Sequence, residues 1–195
     1  ALEKNYFQAS YVANKDEALK KILELIPTDV SVGIGGSATL NEIGLVAELE
    51  KRGNIIYNHG KPGISKEEAA ELRHKELSSD VFLTSSNAVT MEGELVNVDG
   101  NGNRVAAMVF GPKKVMVIAG VNKIVPDCAA AIERVKLFAA PLNNKRLNIP
   151  NPCTINGNCM DCHGSSRICK VTTIMHQKPA NTDVHVIIVG EELGF

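Results

Sequence analysis

Apolar positions recur along this chain with two periods, and the alternation between them carries the fold. In NKDEALKKILELI (14–26), Ala18, Ile22, Leu25 and Ile26 fall at helical spacing, with Asn14 and Glu17 as a capping pair and Pro27 as a stop. VSVGIG (30–35) is a β-branched run that passes directly into glycines, and so predicts a strand. TLNEIGLVAELEKRG (39–53) returns to helical spacing, with Thr39 and Glu42 at capping-box distance and Gly53 at its end. NIIYN (54–58), a Pro62-Gly63 turn, a helix from Ser65 (capping box with Glu68) to Leu77 and a strand DVFLTSS (80–86) continue the alternation. Successive strands separated by helices imply a parallel sheet, because a right-handed crossover needs a covering helix.

The middle of the chain departs from this rhythm. Glu92-Gly93 and Asp99-Gly100-Asn101-Gly102 turns flank a short strand, ELVNV, which predicts a hairpin-like excursion from the wound sheet. Asn103 is placed to cap a short helix RVAAMVF, KVMVIAG (114–120) returns as a buried strand, and Pro126 stands ahead of a helix running to Ala140. Residues 141–152 are polar and loop-like, and VTTIMH (171–176) and VHVIIVG (184–190) close the chain as strands. The expectation is one α/β domain over residues 1–195, doubly wound with a mostly parallel sheet, carrying an embedded cysteine-rich loop at 153–169.

Composition narrows the function classes. A formal net charge of -1 and 4% aromatic residues offer neither the basic stripe nor the stacking rings of a nucleic-acid surface. The longest apolar runs, VMVIAGV (115–121) and VIIVG (186–190), are too short to cross a bilayer. No secretory signal is visible, although the sequence opens at Ala1 and not at Met, and the expected compartment is the cytoplasm.

Two features carry candidate chemistry. The first is the strand-to-helix turn GIGGSAT, where Gly33-x-Gly35-x-x-Ala38 meets the loose dinucleotide pattern. The full pattern needs an acidic residue about 20 positions on to hold the ribose, and here that place reads Tyr57, Asn58, His59. Nicotinamide and flavin dinucleotides are therefore disfavoured. What remains is either a phosphate- or carboxylate-binding turn using Gly35, Gly36, Ser37 and Thr39, or glycines that only make a tight turn.

The second feature is CTINGNCMDCHGSSRIC, which places Cys153, Cys159, Cys162 and Cys169 within seventeen residues as C-x5-C-x2-C-x6-C. Four thiolates from one glycine-containing loop suit a tetrahedral zinc or an iron-sulfur cluster. Cys159-Met160-Asp161-Cys162-His163 also matches the c-type haem attachment pattern, but that leaves Cys153 and Cys169 unexplained. A redox dithiol at Cys159 and Cys162 lacks the surrounding strand-then-helix frame. Cys128 reads as packing on an apolar helix face, His163 as a substitute ligand, and Arg167 as a donor to sulfur or a substrate carboxylate. His59, His74, His176 and His185 are scattered and read as surface or satisfied core residues.

GIGGSATLNEIGL, SSDVFLTSSNAVTMEGELVNVDGNGNRVAAMVFGPKKVMVIAGVNKIV, the four-cysteine segment and the closing VIIVGEELGF together resemble the LUD-domain (lactate utilisation) family over nearly the whole chain. The resemblance implies a doubly wound core related to ribose-5-phosphate isomerases, glucosamine-6-phosphate deaminases and CoA transferases. It also implies work alongside iron-sulfur partner proteins in oxidising L-lactate to pyruvate. The nucleophile of the related CoA transferases, a glutamate in Ser-Glu-Asn-Gly, has no counterpart in Ser85-Ser86-Asn87-Ala88. Nor do Glu92 and Glu94, more simply turn residues, replace the acidic cluster of the isomerases.

A polar set at expected strand ends then remains: Asn87, Thr90, Asp99, Asn103, Arg104 and Lys123. It faces the crevice where open α/β sheets bind ligands, with Arg104 placed to fork onto a carboxylate or phosphate. The expected ligand is a small anionic metabolite. For the cysteines the spacing leaves zinc and iron-sulfur open, and the resemblance favours a [4Fe-4S] cluster over zinc.

Overall fold

In the computed structural model, which describes residues 1–195, the β-branched runs do pair as expected. The first half contains β1 (Gln8–Val12), α1 (Lys15–Leu25), β2 (Ser31–Ile34), α2 (Ala38–Ile43), α3 (Leu45–Lys51), β3 (Ile55–Tyr57), α4 (Lys66–Leu77), β4 (Val81–Thr84) and β5 (Ala88–Thr90). The second half contains β6 (Leu95–Asp99), α5 (Asn103–Val109), β7 (Lys114–Gly120), β8 (Ile124–Val125), α6 (Cys128–Arg134), α7 (Ala140–Arg146), α8 (Pro152–Asn156), β9 (Val171–Met175) and β10 (Asp183–Val189).

Six strands form the main sheet in the order β1-β10-β7-β4-β2-β3, every pairing parallel. Its central strands are apolar throughout because both faces are covered. On β7 the alternation is explicit: Met116 and Ile118 enter one core with Ile22, Leu40, Leu45 and Leu49 from α1, α2 and α3. Val115, Val117 and Ala119 enter the opposite core with Phe82, Met108, Leu95 and Met175. The second core is closed partly by α5 and partly by a four-stranded sheet, β8-β5-β6-β9.

That second sheet is the excursion foreseen at ELVNV, with β5 and β6 antiparallel. VTTIM pairs with it, antiparallel to β6, and not with the main sheet. Four local expectations change. The 39–53 helix breaks at Gly44, whose φ of 73° ends α2, and its cap is Ser37, which accepts from the Leu40 amide. Thr39 is buried and Glu42 instead accepts from the Gly194 amide. Asn103 is the first residue of α5 and Asp99 accepts from the Val105 amide in its place, because Gly102 at φ 81° turns the chain one residue earlier. Residues 140–146 form α7 instead of a loop. The π-helical turn over 135–139 leading into it shifts the hydrogen-bond ladder where Pro141 lacks an N–H.

β1 extends the sheet edge beyond the elements the pattern had indicated. No helix is long and apolar enough to cross a membrane.

Candidate functional site

The C-terminal ends of β2, β4 and β7 open onto a cavity of about 350 Å³. Of the ten residues expected around a ligand, Gly35, Gly36, Ser37, Thr39, Asn87, Asp99, Asn103, Arg104 and Lys123 line it, and Thr90 does not. Thr90 lies on β5, hydrogen-bonded to Glu94 on the far side of the hairpin.

Gly35 is required by close packing: a Cβ there would lie 2.6 Å from the Phe82 ring. The amide of Gly35 donates to Leu83 O at 2.8 Å and that of Gly36 to Ile34 O at 3.1 Å. The two glycine amides are thus held by the protein's own carbonyls, and at these positions the tight-turn reading describes the structure. The imidazole of His59 lies over Gly36, its Nε2 3.4 Å from where a Cβ would stand. Its Nδ1 meets the buried carboxylate of Glu76 at 2.7 Å.

Arg104 is fully engaged within the wall. Its Nε donates to Asp99, Nη1 to Ser85 O and Asn97, and Nη2 to Asn87 and Val98 O. No N–H of this guanidinium is left to fork onto a ligand, which corrects the role that strand-end position suggested. With Asn87 Oδ1 also accepting from the Val98 amide, these residues tie β4, β6 and α5 together and set the shape of the cavity.

Lys123 behaves differently. It is 2% exposed, and its Nζ sits 2.8 Å from both Thr39 Oγ1 and Ser85 Oγ, with no carboxylate at ion-pair distance. Burial, reinforced by the charges of Arg134 and Arg104 and opposed by Glu42, brings its pKa down to about 7.

Three further basic groups line the same cavity: His59, Arg73 of α4 and Arg146 of α7. Arg73 Nε is buried without a hydrogen-bond partner. Arg146 donates to Asn143 Oδ1, and burial lowers its pKa. Among lining side chains only Asp99 is acidic, and it is paired with Arg104 at 2.9 Å. The cavity therefore carries a surplus of positive charge and favours an anion.

All five cysteines are free thiols. Cys153, Cys159, Cys162 and Cys169 line a second, mainly apolar cavity with about 20 Å³ of free room, space for a water or one ion. Cys153 Sγ accepts from Asn144 Nδ2 and Cys159 Sγ from the Asp161 amide, each at 3.4 Å. Arg167 donates to the carbonyls of Cys169 and Cys162, bracing the loop from within, and not to sulfur. Burial, with the neighbouring sulfurs, pushes Cys169 up to about 11 and raises Cys153. No three His, Cys, Asp or Glu side chains of the chain are arranged here as ligands of a single metal ion. Cys169, Ile168 and Ala140 line both cavities.

Outside these cavities, Glu94 accepts from Cys128 Sγ at 2.8 Å and meets His176 Nδ1 at 2.6 Å. Desolvation followed by that carboxylate raises the Cys128 thiol to about 11. Cys128 packs against the small cluster of Ala88, Val96 and Ala131, and a raised thiol pKa disfavours the nucleophilic thiolate.

A family model described as the LUD domain matches residues 1–189. No curated protein matches the chain. Among solved structures, a DUF162 family protein from Deinococcus radiodurans is similar at 15% identity and a TM-score of 0.55, covering 97% of this chain and 92% of that one. At that identity the likeness speaks for the fold.

Proposed function

We infer a function from two facts taken together: this chain belongs to the LUD domain family, and its cysteine-lined cavity shares a wall with its cation-rich one. The protein is a component of hydroxy-acid oxidation of the lactate type. It takes a small carboxylate in the larger cavity, and Cys153, Cys159, Cys162 and Cys169 would hold an iron-sulfur cluster, which would supply electron transfer towards iron-sulfur partner proteins. The observation that carries this reading is Cys169, a cavity-lining residue on both sides. A redox group held there lies next to the substrate, where electron transfer is of use.

What supports such a group is the kind of donor, four free thiols lining one cavity with N–H donors directed at two of the sulfurs, and not their present arrangement, in which no three stand as ligands of one ion. When bound, the cluster supplies one-electron transfer. The chain's own groups do the rest: Arg73 and Arg146 meet the carboxylate, Arg104 holds the wall, and His59, oriented by Glu76, presents Nε2 towards the cavity. Free thiols throughout suit the reducing cytoplasm.

The small free volume favours a second reading, zinc as a structural knot, since a single ion needs less room than a cubane. Anaerobic purification with iron, sulfide and zinc analysis separates the two. A brown protein with matching iron and sulfide, bleached in Cys159→Ser, is the expected result. Colourless protein with stoichiometric zinc establishes the knot instead, and ends the redox reading.

A further inference from the structure

We propose that Lys123 is a carbonyl-capturing amine: its Nζ, seated between the hydroxyls of Thr39 and Ser85 in the wall of the larger cavity, condenses with the ketone of a small α-keto acid to form an imine. The inference rests on the reading that this cavity receives a small carboxylate, and it requires no metal.

The hydrogen-bond directions make the case. Thr39 directs its hydroxyl proton to Leu193 O at 3.3 Å or Ser85 Oγ at 3.4 Å, and Ser85 donates to Ser86 O at 3.4 Å. Both hydroxyl oxygens therefore face Nζ as acceptors, each at 2.8 Å. A neutral amine has two N–H groups, and these two contacts use both, leaving the nitrogen lone pair without a partner. An ammonium would have a third N–H and a full charge to satisfy, and no carboxylate is within reach. Gly194 closes the other side so tightly that a Cβ there would lie 2.5 Å from Thr39 Oγ1 and 3.3 Å from Nζ. A lysine buried to 2% exposure without an ionic partner is a poor structural choice, since a packed apolar side chain of its length avoids the desolvation cost. Its use is as a nucleophile: burial, helped by the charges of Arg134 and Arg104 and opposed by Glu42, brings its pKa down to about 7 and makes the free amine accessible near neutral pH.

An α-keto acid suits this lining: Arg73 and Arg146 line the same cavity as Lys123 and offer cations to a carboxylate, and the ketone beside that carboxylate is the group an amine captures. The Nζ lone pair attacks the carbonyl carbon, forming the C–N bond as the C=O π pair moves to oxygen. A proton passes from nitrogen to that oxygen, giving a carbinolamine. The remaining N–H proton, relayed through the Ser85 and Thr39 hydroxyls, reaches the carbinolamine hydroxyl, which leaves as water while the nitrogen pair forms the C=N bond. Nothing is oxidised or reduced.

The test is reductive trapping. The purified full chain is incubated at pH 7 with pyruvate and cyanoborohydride, digested and mapped by peptide mass. The expected product is Lys123 heavier by the mass of pyruvate less one oxygen atom. A lysine titrating near 7 holds about a thousandfold more free amine than an ordinary one, so trapping at Lys123 should exceed that at exposed Lys51 and Lys113 at least tenfold, to order of magnitude. Trapping spread evenly over the lysines, or absent from Lys123, overturns the proposal. Pyruvate binding is measured in parallel by calorimetry without reductant. Binding with no capture defeats the imine and leaves the carboxylate site standing, whereas neither binding nor capture removes both. Lys123→Met should abolish capture, and because the wild-type peptide map decides the matter, nothing depends on that variant folding.

Discussion

The region around Arg104 and the region around Lys123 border one cavity, yet they treat positive charge in opposite ways. At Arg104 every N–H is met by Asp99, Asn97, Asn87 or a main-chain carbonyl, so the charge is neutralised and the guanidinium acts as a rivet between strands and helix. At Lys123 two hydroxyls stand where a carboxylate would be expected, and the charge itself is destabilised. The difference separates shape from reactivity. A cation surrounded by acceptors is fixed and chemically quiet, while one given only neutral partners is available for transfer or attack.

The largest effect should come from breaking the rivet. Arg104→Met leaves Asp99 and two asparagines facing a cavity without their donor, and a half-broken buried pair costs about 3 kcal/mol or more. Urea denaturation should show a loss of that order; a loss under about 1 kcal/mol would mean that the wall holds its shape without the guanidinium.

Lys123→Met should move stability the other way. Removing a buried amine that folding forces toward neutrality stabilises by about 2 kcal/mol at pH 7, after allowing for the two lost hydrogen bonds. The pH dependence gives the sign. The folded pKa of about 7 lies below the unfolded one, so between them the unfolded chain binds more protons and wild-type stability rises with pH, by up to about 1.4 kcal/mol per unit. The window to read is pH 7 to 9. Above it Cys128 and Cys169, raised to about 11, add a slope of opposite sign. The methionine variant should lose the rise between 7 and 9, and an unchanged slope in it would show that Lys123 is not the group responsible.

Much of this could be read before any coordinates. The β-branched runs at 30–35, 80–86, 114–120 and 184–190 are buried on both faces, so burial and sequence pattern agree and the main sheet was legible. β1 was not, because QASYV is a short edge strand with a mixed pattern and draws its stability from pairing with β10. α7 was hidden by its polar composition and by Pro141, which only the preceding π turn accommodates. Strand-end logic found Lys123 and Arg104 but reversed the more available of the two, since Arg104's partners come from positions 85, 87, 97, 98 and 99 and their convergence is tertiary. His59 looked like a stray histidine until Glu76, from the next helix, fixed its ring. The cysteine spacing led to a metal site; in the fold the four cysteines line one small cavity without three of them standing as ligands of one ion, and the wall it shares with the larger cavity depends on how 168–169 fold back against α7.

Arg73 offers the smallest but cleanest separation of the two kinds of cation. In KEEAAELRHKEL it reads as one more solvated charge on a very polar helix. In the fold its Nε is buried, unpartnered and on the cavity wall. It therefore resembles Lys123, and differs from Arg104, in having no carboxylate at ion-pair distance. Arg73→Gln keeps much of the stem and removes the charge, so stability should change by less than about 0.5 kcal/mol. Losing one charged contact to a carboxylate should weaken pyruvate binding by about tenfold, or 1.4 kcal/mol. Calorimetry on the two proteins reads both quantities. Unaltered affinity would move the anion to the Arg146 side of the cavity, and a large loss of stability would show that Arg73 holds the helix in place and does not wait for a ligand.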